Sequence, residues 1–158
     1  MSSDNSANGL KRSRQQPAPP KTLVVGLGNP ILGDDGVGWR VAESVRESLL
    51  AGNGRFNHVE VDCFALGGLS LMEQLVGYEK VIIVDSIQTR DGQPGHIYRL
   101  SLDDLPDLST GHTTAAHDTS LQTAMRLGRT MGVDLPQEVA LVGIEAKHVY
   151  DFSEELSP

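Results

Sequence analysis

The chain has 158 residues and a formal charge of −8, enough polymer for one domain that buries roughly two-thirds of its unfolded surface without disulfides or a structural metal. The charge is uneven: Lys11, Arg12, Arg14 and Lys21 face only Asp4 within residues 1–21, which leaves 9 of the 13 basic residues and 20 of the 21 acidic ones in the body. So acidic a body argues against nonspecific nucleic-acid binding, which rewards clustered Lys and Arg by counterion release. A single cysteine, Cys63, excludes an internal disulfide framework or a cysteine-based zinc site.

Residues 1–21, MSSDNSANGLKRSRQQPAPPK, are polar and proline-bearing, and such a segment cannot offset its ordering entropy, so a disordered tail is expected. It has no apolar core of a secretory signal, and no later run reaches the roughly 18 residues of a membrane helix. The chain therefore reads as cytoplasmic, with no membrane partner. Thr22 to Leu27 is a continuous apolar, β-branched run, the mark of a strand covered on both faces. A turn rich in Gly and Pro follows. From Val37 to Leu50, apolar residues at Val37, Val41, Val45 and Leu49 predict an amphipathic helix that Gly52 to Gly54 ends.

His58 to Phe64 alternates as a second strand and carries Cys63, read as a packed thiol. Leu69 to Val76 is a short helix, and Lys80 to Asp85 a central strand that ends on its carboxylate. Asp91-Gly92 and Pro94-Gly95 signal a turn, so the alternating HIYRLSL is an antiparallel edge strand. Leu102 to Thr114 reads as a long loop, of a length that usually serves function. A helix from His117 to Met131 and a last apolar strand from Glu138 to Ile144 complete the pattern. Strands alternating with helices predict a three-layer α/β/α sandwich around a mostly parallel five-stranded sheet with one antiparallel strand. Residues 22–158 are thus a single α/β domain. After Ile144 no amphipathic helix follows, and one sheet face is expected to be thinly covered at that flank.

Three groups of one chemical kind fall at corresponding places. Asp34 and Asp35 follow the first strand, Asp85 closes the third, and His117 opens a helix. In open α/β sheets ligands settle beyond the carboxyl ends of strands, so the Asp34–Asp35 pair, Asp85 and His117 are expected to meet there. Two carboxylates and one imidazole leave open coordination positions, as in a substrate-accepting metal site. Each residue also has an ordinary reading. Asp34 and Asp35 suit helix caps, and on that view Asp34→Asn costs about 1 kcal/mol. Asp85 suits a turn, and a lone histidine is more often structural. His112 is the second choice for the imidazole, ahead of His58, His96 and His148. The glycine turn is no dinucleotide loop, because position 31 is Ile where G-x-G-x-x-G requires Gly.

GLGNPILGDDGVG, VIIVDSI and HDTSL, in this order and at these separations, resemble the nickel-iron hydrogenase maturation proteases, endopeptidases that trim the C-terminus of the hydrogenase large subunit. The resemblance spans about residues 22 to 156 and implies a phosphorylase/hydrolase-like fold. It implies that Asp35, Asp85 and His117 are the metal-binding, catalytic set, and that nickel carried by the large-subunit precursor is what they grip. Zinc or another divalent ion could occupy the isolated protein, and a monomer that docks transiently on its partner is expected. DCFALGG departs from the family in lacking a Gly-Thr or Gly-Ser element, and the terminal helix is missing.

Two other functions compete. Peptidyl-tRNA hydrolases share the GLGNP strand end, but their catalytic R-H-N-x-G block has no counterpart in LGDDGVGWR, and the acidic body does not suit tRNA. A non-catalytic assembly factor that senses nickel through the same three residues is separated from a protease only by whether it cuts.

Overall fold

The computed structural model describes residues 18–102 and 116–158, with side chains in the second span from residue 121 onward. The expectations for the basic tail through residue 17, for the segment 103–115 and for His112 lie outside the described residues. Thr22–Leu27 (β1) is buried along its whole length, as a strand covered on both faces must be. It pairs in parallel with Val59–Phe64 (β2) on one side and Lys80–Ile87 (β3) on the other. Glu138–Glu145 (β5) runs parallel beside β3, and Ile97–Ser101 (β4) closes the edge antiparallel to β5. The spatial order is β2-β1-β3-β5-β4, the five-stranded, mostly parallel sheet that the sequence predicts.

Strand alternation divides the core. Leu23, Val25, Leu27, Val81 and Ile83 point to the face covered by Gly68–Gln74 (α2) and Ala116–Thr130 (α3), where they meet Leu71, Leu75, Leu121 and Met125. Burying each of these side chains contributes about 1.5–3 kcal/mol. The other face carries Val37–Ala51 (α1), packed on β1, β2 and β3. Here the structure departs from the periodicity. Val37, Val41, Val45 and Leu49 are only half-buried, and the residues fully buried on α1 are Gly38 and Ala42. The small residues let the helix axis come close to the sheet: a Cβ on Gly38 would lie 2.3 Å from the Leu27 carbonyl oxygen and 2.4 Å from that of Val84. The valines therefore flank the contact line.

Beyond α1 the same face is thin. Ala140, Val142 and Ile144 of β5 are half-buried, and residues 146–158 form no helix. Among the described residues no helix is long and apolar enough to cross a membrane.

The chain goes from β1 through α1 to β2, then crosses to β3 on the opposite side of β1. Strand order reverses between β1 and β3, the place where open α/β sheets bind ligands. At the other end of the sheet, Gly77 N–H donates to the Asp134 carbonyl at 3.0 Å and Gln137 N–H to that of Glu79 at 3.0 Å. These contacts fix the descending end of α3 near the strands' amino ends. Its first turn, which includes residue 117, therefore lies toward their carboxyl ends.

Candidate active site

The β1–β3 ladder stops at Gly26 and Val84, after which β1 turns away and opens a gap. Asp85 sits at this gap. It does not end its strand, as VIIVD suggests, because β3 continues pairing with β5 through Asp85–Gly143, Ser86–Ile144 and Ile87–Glu145. Support from β5, invisible to the local pattern, carries the strand past its apolar run. Asp85 is thus held by a ladder on one side and open on the other.

Asp35 reaches the gap from the 3-10 turn Gly33–Gly36, which joins the glycine loop to α1. The loop is shaped by Gly28, whose φ of 116° is rarely accessible to residues with a side chain, and whose added Cβ would lie 1.9 Å from the Asp35 carbonyl oxygen. That close approach presents the Asp35 carboxylate to the cleft. Its Oδ2 accepts the Asn29 N–H at 2.7 Å, and its Oδ1 accepts the Ser86 hydroxyl at 3.1 Å. Asp85 Oδ1 accepts the Ser86 N–H at 2.8 Å.

Asp35 and Asp85 line one cleft of about 200 Å³ with Leu27, Gly28, Asn29, Ala65 and Leu66. The wall at Ala65 and Leu66 is anchored through the end of β2, where the Phe64 carbonyl accepts Gly28 N–H at 3.2 Å and Trp39 Nε1–H at 3.4 Å. Two half-buried carboxylates facing one space form hard oxygen donors suited to a cation. Among the described residues no three His, Cys, Asp or Glu side chains converge tightly enough to hold a metal ion. The imidazole expected to complete the set, His117, belongs to the first turn of α3, and its side chain lies outside the described residues.

Asp34 goes elsewhere. It caps no helix, since neither the 3-10 turn nor α1 has a side-chain cap, and it is 6% exposed. Its Oδ2 accepts Lys147 N–H and His148 N–H, both at 2.9 Å, and the Ser157 hydroxyl at 2.5 Å, while Oδ1 accepts Ser157 N–H at 2.7 Å. Burial raises its pKa, but the hydrogen bonds from Ser157, His148 and Lys147 outweigh this and hold the carboxyl well below the usual carboxylate range. Further backbone bonds, Gly33 N–H to the Ser153 carbonyl and Ser153 N–H to that of Ile31, complete the strap. Asp34 therefore secures residues 146–158 across the back of the glycine loop.

Neither Cys63 nor His148 lines the cleft. Cys63 is half-buried, and burial pushes its thiol up, the opposite of an activated nucleophile. His148 pairs through Nδ1 with Asp151 at 3.0 Å. Glu145, which the sequence does not single out, is 4% exposed and accepts Thr89 N–H at 2.7 Å and Thr89 Oγ1–H at 2.9 Å, which anchors the turn after β3. Nor does the sequence pattern single out Ser86, although a hydroxyl directly after a candidate carboxylate is a visible signal.

Comparison with known proteins bears on the fold and the family. The family model HycI, hydrogenase maturation protease, matches residues 40–158. The hydrogenase 2 maturation protease of Escherichia coli is 26% identical over 78% of this chain and 72% of its own length. The solved hydrogenase maturating endopeptidase HybD from E. coli superposes with a TM-score of 0.67 at 26% identity, covering 87% of this chain and 81% of that one. A hydrogenase 2 maturation peptidase from Thaumarchaeota archaeon SCGC_AB-539-E09 is 31% identical with a TM-score of 0.54, over 87% of this chain and 85% of that one. The chain spans from 60% of one curated relative's length to 75% of another's. With a matching family model over three-quarters of its residues and the same α/β sheet, the chain belongs to the hydrogenase maturation protease family.

Proposed function

We propose that this chain is an endopeptidase that removes the C-terminal extension of a nickel-loaded nickel-iron hydrogenase large-subunit precursor, with Asp35, Asp85 and His117 as the residues that engage the precursor's nickel. One observation carries the reading: two carboxylates 50 positions apart line a single cleft at the carboxyl ends of β1 and β3, in a chain of the maturation protease family. Hard oxygen donors and one imidazole fit a borderline divalent ion, and zinc or another divalent cation would suit the isolated protein as well. A divalent ion supplies polarisation of the scissile carbonyl and acidification of a nearby water.

The protein's own share is positional. Asn29 N–H and Ser86 O–H each take one lone pair of Asp35, so the rest of each oxygen remains directed at the cleft. A carboxylate so fixed orients water and accepts its proton, while Leu27, Ala65 and Leu66 give the cleft an apolar wall. The partner is then a protein much larger than this chain, met transiently by a cytoplasmic monomer.

The test is a gel assay on purified precursor. The nickel-loaded form should be trimmed and the nickel-free form left intact. Asp35→Asn and His117→Ala should abolish trimming while both variants still unfold cooperatively. Binding of the loaded precursor without any cut would instead assign a nickel-sensing assembly factor.

A further inference from the structure

Ser86 hydrogen-bonds to both cleft carboxylates, and it does so with different groups. Its hydroxyl donates to Asp35 Oδ1 at 3.1 Å and its N–H to Asp85 Oδ1 at 2.8 Å. At this level β1 has already turned away, while β5 still fixes the backbone of β3 through the Ser86–Ile144 register. Alternation sends the Ser86 side chain to the α1 face and Asp85 to the α2/α3 face. The serine can therefore meet the carboxylate arriving from the α1 side while its main chain holds the one beside it.

We propose that Ser86 is a positioning residue for the cleft: it sets the spacing and rotation of Asp35 relative to Asp85 and so the geometry that a divalent ion encounters. The inference rests on the function proposed above. A carboxylate attached only to Asn29 N–H would pivot about that single 2.7 Å bond; the second bond, to the other oxygen, removes the pivot. Partners that orient ligating carboxylates in this way change metal affinity or activity by about 10- to 100-fold when removed. Ser86 is half-buried and lies outside the buried hydrophobic cluster, so its hydroxyl can be deleted without opening a core cavity.

The experiment compares the full chain with Ser86→Ala, Ser86→Thr and Asp35→Asn. It measures Ni²⁺ uptake by the protein alone in calorimetry, thermal unfolding, and trimming of nickel-loaded precursor. Ser86→Ala should keep its melting temperature and lose about 10- to 100-fold in both Ni²⁺ affinity and trimming rate, and Ser86→Thr, which retains the hydroxyl, should restore both. Uptake or trimming in Ser86→Ala equal to wild type, with Asp35→Asn inactive, overturns the positioning role and leaves the site standing. Wild-type trimming by Asp35→Asn overturns the site and the positioning role with it. Loss in Ser86→Ala that tracks a lowered melting temperature and is not restored by Thr also overturns the role, because that pattern marks a structural residue.

Discussion

Asp34 and Asp35 are chemically identical neighbours in one 3-10 turn, yet they serve opposite ends of the molecule's organisation. Asp35 is half-exposed, faces the cleft with Asp85, and accepts two hydrogen bonds. Asp34 is buried and accepts four, three from backbone N–H groups and one from a hydroxyl, all donated by residues 147–157. A carboxylate saturated with donors is fixed as an ion and withdrawn from chemistry. A carboxylate with lone pairs still directed at an open cleft keeps its capacity for a ligand. The difference between them is therefore one of donor count and enclosure, and on the proposed function it separates stability from chemistry across a single peptide bond.

The sharpest way to break this division is to delete each carboxylate in turn. Asp34→Ala strands three backbone N–H donors, and bonds to a charged acceptor contribute about 1.5–3 kcal/mol each. Because residues 146–158 can detach and rehydrate, the total loss should be near 3 kcal/mol, read as a shift in the denaturation midpoint. Asp35→Asn should move that midpoint by less than about 1 kcal/mol, as substitutions outside the core commonly do, while stopping precursor trimming. Equal destabilisation by the two variants would erase the division of labour.

Acid supplies a second and smaller test. The folded carboxyl of Asp34 lies below its ordinary range despite burial, whereas in the unfolded chain it titrates near about 3.9. Its contribution is therefore fully present above the unfolded value and fades as pH falls through that value toward the folded one. Between about pH 5 and pH 2, wild-type stability should fall more steeply than that of Asp34→Asn, which has no proton to take up at this position. Parallel acid limbs for the two proteins would show that other groups set the decline.

The contrast between the two aspartates also marks how far the sequence could be read. Strand and helix identities follow from local signals: the β-branched run of β1, the Asp-Gly and Pro-Gly turn before β4, and the glycines that close α1. The meeting of Asp35 with Asp85 was legible too, because strand ends and topology dictate it. What was not legible depends on distant partners. Asp34 looked like a cap because capping is local, while its real donors lie 113 to 123 residues away. Asp85 looked like a strand end because the apolar run stops there, while β5 extends the ladder. The valine stripe of α1 marked the right side of the helix but not its contact line, which Gly38 and Ala42 set by close approach. The hydroxyl of Ser86 was passed over because alternation places it on the face opposite Asp85, and only the path of the glycine loop brings Asp35 to that side.

The smallest prediction isolates one arm of the Asp34 clamp. Ser157 binds the carboxylate twice, through Oγ at 2.5 Å and N at 2.7 Å, so Ser157→Ala removes the first bond and keeps the second. The expected loss is about 1–2 kcal/mol, the range for a hydrogen bond to a charged group with some solvent access. In an Asp34→Ala background the same replacement should cost almost nothing, because the hydroxyl then has no carboxylate to serve, and the double-mutant cycle measures the coupling directly. Additive losses in that cycle would mean that Ser157 stabilises the segment through some other contact and that the clamp closes on Lys147 and His148 alone. The trimming rate of Ser157→Ala, measured well below its melting temperature, should match wild type, since the donor it loses belongs to Asp34 and not to the cleft.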